Sequence, residues 1–247
     1  MADKLVPMDR AYREKHYPKG YFAAIAKGAR GGGIALIICG AVLALMGGGI
    51  LALVISSMTD GDFNPERDLS AMIFFGVVGL LFLVPGILII WGGIRRRRMK
   101  EEDWIKKFAE VSDYPESVIR DFGNQALEDG SVRMQLGANA TQGVLTRDYI
   151  CICNLLAPCV IKIEDIVGTY FVEMSNQISV NGRMKTIYNT NIVIFSNHKT
   201  QMVSQAKEKT VRQLIEILTT RNPAIETAGG RLLPEKEYQI MEAKYCK

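Results

Sequence analysis

Three cysteines near the middle of the sequence are the residues whose type and spacing could do chemistry. Cys151 and Cys153 are separated by one residue, and Cys159 follows a few residues later. Two residues at this spacing share one face of a β-strand, so their thiols could bind a soft metal ion or form a redox pair. The spacing is not the C-x-x-C of zinc knuckles and redox loops, and free cysteine is commonly buried. The sequence therefore favours buried core thiols and predicts no metal and no cofactor, with a thiol site as the alternative.

Other catalytic patterns are absent from the sequence. Histidine occurs only at His16 and His198, and neither has a neighbour at the spacing of a metal site or a catalytic triad. The sequence also lacks the G-x-S-x-G, H-E-x-x-H and Walker patterns. We therefore expect a protein that is not an enzyme.

Two long segments, 34–56 and 71–94, contain no charged residue. A helix rises about 1.5 Å per residue, so about 20 apolar residues cross a hydrocarbon core of roughly 30 Å. A buried helix of a soluble protein is rarely apolar on every face over this length, and a signal peptide has a shorter apolar run. The segments therefore predict two membrane-spanning helices joined by a short loop.

The charges beside these segments predict their orientation. Residues 1–30 contain seven Lys or Arg and three acids, whereas 57–70 contain one basic residue and four acids. Basic residues beside membrane segments stay cytoplasmic, so we expect a multi-pass plasma-membrane protein with both termini in the cytoplasm. The second segment is followed by a basic run that we expect to contact anionic lipid head groups, formed by Arg95, Arg96, Arg97, Arg98 and Lys100.

The positive charge of the chain lies mainly in these membrane-flanking segments. Residues 101–247 contain 17 basic and 19 acidic residues. A nucleic-acid-binding domain carries a basic patch or stripe, which this balance does not favour. We therefore expect no nucleic-acid partner.

Small residues recur along both apolar segments. Such residues let helix backbones approach closely, which drives packing in lipid. The pattern favours an intramolecular hairpin, with a contact between two copies of the chain as the alternative. The residues expected to pack are Gly40, Ala44, Gly48 and Ala52 in the first segment and Gly79, Gly86 and Gly93 in the second.

Residues 101–247 read as one α+β domain. Apolar residues at helical spacing predict two helices before residue 130. The period then changes to two, and about seven strands follow, with a hairpin turn at Asn181 and Gly182. An amphipathic helix over 207–220 follows the last strand. Such an antiparallel meander curls into a partly open barrel or a sandwich, with the helix capping one open end.

This order of elements resembles the pleckstrin-homology-like (PH-like) domains of small bacterial membrane-anchored proteins. The resemblance rests on "GVLTRDYICICNLLAPCVIKIEDIVGTYF" (143–171) and "VRQLIEIL" (211–218). It implies a scaffold that binds lipid head groups, peptides or proteins, usually without catalysis. The loop 137–143 lacks the basic residues of phosphoinositide-binding members, so a protein ligand is favoured.

The expected protein is thus a non-enzymatic membrane protein whose cytoplasmic PH-like domain recruits or senses a protein partner at the inner leaflet. An anionic-lipid-responsive module and an oligomeric transporter or channel subunit are the alternatives, so a homo-oligomer remains open. The expected segments are a cytoplasmic N-terminal segment (1–32), a first membrane helix (33–57), an external loop (58–70), a second membrane helix (71–94), a basic juxtamembrane segment with helices (95–130), the PH-like domain (131–221) and a C-terminal tail (222–247).

Overall fold

The computed structural model describes residues 4–59, 65–136, 141–153, 158–180, 183–204 and 206–245. The chain divides into two compact units. The first unit, which we call the domain, contains Met1–Phe22 and Ile105–Lys247, and the second contains Ala23–Trp104. The two ends of the chain therefore belong to one unit, and the apolar segments form an insertion within it.

The described residues contain seven α-helices and nine β-strands. The helices are α1 Arg10–His16, α2 Tyr21–Thr59, α3 Pro65–Arg98, α4 Glu101–Ser112, α5 Glu116–Gln125, α6 Glu208–Arg221 and α7 Glu235–Tyr245. The strands are β1 Lys4–Pro7, β2 Val132–Leu136, β3 Thr141–Leu145, β4 Tyr149–Cys153, β5 Pro158–Lys162, β6 Ile166–Val180, β7 Arg183–Ser196, β8 Thr200–Ser204 and β9 Leu232–Pro234.

The second unit contains the long apolar helices α2 and α3, which we call the helical hairpin. Two stretches, Tyr21–Thr59 and Leu69–Arg98, are long and apolar enough to cross a membrane. Only 11% of the most apolar window in each helix is buried, whereas the core helix of a soluble protein is mostly buried. Helix α3 continues through Pro85. The structure thus confirms two long apolar helices.

The domain is built on two sheets. The first has the order β1-β2-β3-β4-β5, and each neighbouring pair is antiparallel. The second has the order β8-β7-β6-β9, in which β9 is parallel to β6 and the other pairs are antiparallel. Strands β2 to β8 correspond to the seven predicted from the sequence. Strands β1 and β9, at the outer positions of their sheets, were not predicted.

One large hydrophobic core joins the two sheets to α6. It contains Ile150 and Ile152 of the first sheet together with Ile192 and Ile194 of the second. Alternate residues of a strand point to opposite faces, so these positions define the inner face of each sheet. Helix α6 contributes the apolar stripe that predicted it, Val211, Leu214, Ile215 and Leu218.

Aromatic residues cover the outer face of the first sheet. The ring centroid of Phe122 in α5 lies 6.1 Å from that of Tyr149 on β4. Phe22, the second residue of α2, lies 5.2 Å from Phe108 in α4 and 6.4 Å from Phe122. Helices α4 and α5 thus pack with Phe22 over the outer face of the first sheet.

The outer face of the second sheet is covered by α7. A core cluster joins Tyr238 of α7 to Tyr170 and Phe195, and Met241 and Tyr245 pack against it. These three residues of α7 lie on one helical face. The residues expected as a separate tail, 222–247, are therefore part of the domain over their described range.

Candidate functional site

Three pairs of glycines bring α2 and α3 into backbone contact. A Cβ atom built on Gly40 would lie 2.7 Å from the carbonyl oxygen of Gly86, and one on Gly86 would lie 2.8 Å from that of Gly40. The corresponding distances are 2.8 Å for a Cβ on Gly33 to the oxygen of Gly93 and 2.5 Å for a Cβ on Gly47 to the oxygen of Gly79. Real Cβ atoms do not approach other atoms this closely, so only glycine fits at these crossings.

The residues of α2 that contact α3 recur every seven residues. The prediction that the small residues at every fourth position of the first segment form the contact is therefore wrong in part. Ala44 does face α3, because its amide nitrogen lies 2.6 Å from a Cβ built on Gly86. A Cβ on Gly48, however, meets no atom within 4 Å, and Ala52 is exposed. Seven residues turn a helix to within about 20° of two full turns, whereas each step of four adds about 40°. A four-residue stripe therefore rotates away from its partner.

The arginine run lies at the C-terminal end of α3. Arg95, Arg96, Arg97 and Arg98 form its last turn, and all four are exposed. Cations are favourable at this end of a helix because the last carbonyl groups carry a partial negative charge. The guanidinium carbon of Arg95 lies 5.9 Å from the ring centroid of Trp91. Lys100 is also exposed, beyond the end of the helix.

Strand β1 ties the N-terminal residues to the sheet that follows the helical hairpin. Leu5 lies opposite Met134 in the antiparallel pair of β1 and β2, and Met8 is buried. Arg13 of α1 donates hydrogen bonds to the carbonyl oxygen of Glu128 and the carboxylate of Asp129. The chain segments before and after the helical hairpin therefore fold together. The sequence carries no alternating run long enough at residues 4–7 to predict this strand.

The structure keeps two of the three cysteines together. The Sγ atoms of Cys151 and Cys153 are 3.7 Å apart on the outer face of β4. Cys159 lies opposite Ile152 and belongs to the inner core, so it faces the other side of the sheet. Within the described residues, no group of three or more His, Cys, Asp or Glu side chains could hold a metal ion.

The two thiols of this pair differ in acidity. The hydrogen bond between the thiols of Cys151 and Cys153 raises the pKa of the Cys151 thiol, and burial raises it further. The same hydrogen bond lowers the pKa of Cys153. Cys151 is fully buried, whereas Cys153 is partly exposed. Of the two, Cys153 is therefore the thiol whose ionised form is the more favoured.

A second polar cluster joins three residues that are distant in the sequence. The hydroxyl of Tyr114 donates a hydrogen bond to the carboxylate of Asp165 at 2.5 Å, and Nε2 of His198 lies 3.7 Å from the same carboxylate oxygen. The rings of Tyr114 and His198 are 4.6 Å apart. Burial and the bond to Asp165 raise the pKa of Tyr114. His198, although exposed, thus helps to hold the turn between β7 and β8 against the residues after α4.

A polar cleft of about 450 Å³ opens between the turn after β3, the end of β5 and the C-terminus of α6. Arg221 in its wall donates a hydrogen bond to the carbonyl oxygen of Thr146, and partial burial lowers its pKa. The remaining cations of the cleft, Arg147 and Lys162, form ion pairs with acidic neighbours. The charges are thus largely balanced within the cleft, which makes it a weak candidate for binding an ionic ligand.

Comparison of the chain with protein-family models, curated proteins and solved structures finds no match. The sites described above therefore rest on sequence and geometry.

Proposed function

We propose that this chain is a non-enzymatic membrane protein that holds a PH-like domain at the inner leaflet of the plasma membrane to recruit or sense a protein partner. The observation that supports this proposal most directly is the pairing of β1 with β2. Both flanks of the helical hairpin lead into one domain, so the hairpin fastens that domain to the membrane at two points. Tethering raises the local concentration of a domain, so a weak contact with another membrane protein becomes effective.

The helical hairpin has the composition of an anchor. Residues 34–56 and 71–94 contain no Asp, Glu, Lys, Arg or His, the residues that ion pathways and proton relays need at membrane depth. The glycines that permit close packing face each other within one hairpin. These features support an anchor over the alternative of a subunit that forms a transport pathway.

The basic run supports a cytoplasmic position of the domain. Arg95, Arg96, Arg97 and Arg98 are exposed where α3 ends, and Lys100 follows. Basic residues near the surface of an anionic leaflet contribute about 1 kcal/mol each. In this proposal the five side chains contact anionic lipid head groups and the domain remains free to meet its partner.

Cross-linking in native membranes tests the recruitment of a partner. The full chain would be purified through a C-terminal tag and its cross-linked neighbours identified by mass spectrometry. The matched control is the hairpin unit, residues 23–104. Residues 1–100 are a less suitable control, because that segment contains β1 without its partner strand β2. A protein enriched with the full chain and absent from the control supports the proposal, and identical neighbours in both samples contradict it.

A further inference from the structure

Strands β6 and β7 extend beyond the rest of their sheet. Strand β9 pairs with β6 only at Phe171–Glu173, and β8 pairs with β7 only at Asn191–Phe195. The pairing of β6 with β7, in contrast, continues to Val180 opposite Arg183. Residues 174–180 and 183–190 therefore form a two-stranded extension, which we call the ribbon.

The outer edge of the ribbon on β7 is open, and on β6 the contacts of α7 reach Ser175. On β6, the carboxylate of Glu235 accepts hydrogen bonds from the backbone N–H of Ser175 at 3.2 Å and from its hydroxyl at 2.7 Å. On β7, the backbone N–H of Ala206 donates to the carbonyl oxygen of Thr190 at 3.0 Å. Beyond that point, no strand of the described part of the chain pairs with the outer edge of residues 183–188. Along such an edge, alternate residues direct their N–H and C=O groups outward.

The ribbon lacks most of the devices that protect a sheet edge. Residues 174–190 contain no proline, and the only register shift between β6 and β7 lies at the other end of the pair, between Ile166 and Gly168. Exposed edges of this length are usually shortened, bent or covered, because they pair readily with other strands. An uncovered edge is therefore a feature that needs an explanation, and an added strand from another protein supplies one.

The side chains of this edge define the kind of strand that fits. Met184 and Tyr188 lie on one face and are 67% and 66% exposed. Arg183 and Lys185 lie on the other face and are exposed. They are the only charged residues in 174–190. A second copy of the same edge would place like charges close together, which is unfavourable, whereas an acidic strand would be attracted.

We infer that residues 183–188 are the docking edge on which the domain takes up an extended, acidic segment of its protein partner as an additional strand. Main-chain hydrogen bonds hold the segment, its apolar side chains contact Met184 and Tyr188, and its carboxylates face Arg183 and Lys185. This inference rests on the proposed recruiting function and assigns it a surface.

A binding assay with defined peptides tests the inference on the full chain in nanodiscs. The probe is a labelled nine-residue peptide of alternating Glu and Val, and the first control peptide alternates Lys and Val. The second control carries N-methyl groups on alternate residues of the probe, which removes main-chain hydrogen bonds and leaves the side chains in place. We expect the probe to bind and both control peptides to bind at least tenfold more weakly, a difference of about 1.4 kcal/mol.

Two double variants separate the docking edge from net charge. Arg183→Glu with Lys185→Glu should weaken binding of the probe at least tenfold and strengthen binding of the Lys and Val peptide. Lys209→Glu with Lys236→Glu changes net charge equally at exposed positions elsewhere in the domain and should leave binding unchanged. All four positions are exposed, so circular dichroism should show an intact fold in both variants.

Three outcomes would overturn the inference. The N-methylated peptide could bind as well as the probe, or the variant with both charges reversed at 183 and 185 could bind as well as the wild type. Alternatively, binding to vesicles that contain phosphatidylglycerol could be the only binding that this variant loses, which would make the ribbon a membrane contact. Cross-linking in native membranes distinguishes a failure of the docking edge from a failure of the proposed recruiting function. A partner that the charge-reversed variant still recruits rejects the docking edge alone, whereas the absence of any partner of the full chain rejects recruitment.

Discussion

Val6 on β1 lies directly opposite Arg133 on β2, although the whole helical hairpin separates the two residues in the sequence. Arg133 also donates a hydrogen bond to the hydroxyl of Tyr12 at 2.9 Å. The N-terminal residues are therefore held by strand pairing and by side-chain contacts of α1. A chain folded in this way joins the residues before and after the helical hairpin in one domain.

The pairing of β1 with β2 predicts the result of topology mapping. A phosphatase that is active only outside the cytoplasm should be inactive when fused after residue 247 or before residue 1, and active when inserted after Thr59. A fluorescent protein that folds only in the cytoplasm should give the opposite pattern. Activity of the phosphatase at one terminus and not at the other would contradict the arrangement, because the two flanks fold together.

The glycine pairs predict different effects of the same substitution at two positions of α2. Gly40→Leu should disrupt the hairpin, because its Cβ alone would lie 2.7 Å from the carbonyl oxygen of Gly86. Gly48→Leu should be tolerated, because a Cβ there meets no atom within 4 Å. Overpacking of this kind costs about 1–3 kcal/mol or more.

Thermal unfolding of both variants in the same detergent measures this difference. The Gly40 variant should unfold at a clearly lower temperature than the wild type, and the Gly48 variant should unfold close to it. Equal melting temperatures for the two variants would show that the seven-residue repeat does not hold the helices together.

Much of the fold could be predicted from the sequence because its strands and α6 carry strong local periodicity. The apolar stripe that ends at Leu218 predicted α6, and alternation predicted β2 to β8. Strand β1 could not be predicted, because four residues hold too little pattern and their partner lies beyond the helical hairpin. Strand β9 is shorter still, with three residues, and its parallel pairing with β6 is a long-range contact.

The candidate sites were harder to predict because they depend on which faces meet in three dimensions. The spacing of Cys151 and Cys153 was sufficient to place both on one strand face. The position of Cys159 on the opposite face depends on the register of β5, which the sequence does not specify. The hydrogen-bonded contact between Tyr114 and Asp165 likewise joins residues whose proximity only the fold reveals.

The hydrogen bond between Cys151 and Cys153 predicts selective alkylation. Because this bond lowers the pKa of Cys153, its thiolate should form at a lower pH than that of an ordinary thiol and react first with iodoacetamide. Cys151→Ala removes this hydrogen bond, so the reaction of Cys153 should then require a higher pH. Peptide mass spectrometry after timed alkylation measures both rates. Faster labelling of the buried Cys151 would contradict the predicted order of the two pKa values.

The contacts of Glu226 predict how the attachment of α7 depends on pH. A hydrogen bond from Lys244, and a second one from Tyr245 with a smaller effect, hold the pKa of Glu226 below its ordinary value of 4.5. A carboxylate whose pKa is lower in the folded state adds stability above pH 4.5, and this stability is lost as the pH falls through the lower, folded value. Glu226→Gln should therefore lower the melting temperature at pH 7.

The difference between this variant and the wild type should shrink steadily below pH 4.5, because the wild-type carboxyl group is then increasingly protonated. Glu216→Gln, which removes one negative charge at an exposed position on α6, serves as the control for the change in net charge. A difference that persists unchanged at low pH would show that the charge of Glu226 is not what attaches α7.

Phe22 and Gly123 form a complementary pair on the outer face of the first sheet, and this predicts that their substitutions are not additive. Phe22 is 4% exposed, and a Cβ on Gly123 would lie 2.6 Å from Cε2 of its ring. Phe22→Ala should cost about 3–5 kcal/mol by leaving a cavity. Gly123→Val should cost about 1–3 kcal/mol in the wild type by displacing the ring.

The double variant should recover part of this loss, because the methyl groups introduced by Gly123→Val enter space that the ring has left. We expect a coupling of about 0.5–3 kcal/mol, the range for residues in direct contact. Denaturant unfolding of the full chain, followed by fluorescence, gives the three free-energy differences. Strict additivity would mean that Phe22 does not pack against α5, and the attachment of the start of α2 to the domain would then need another explanation.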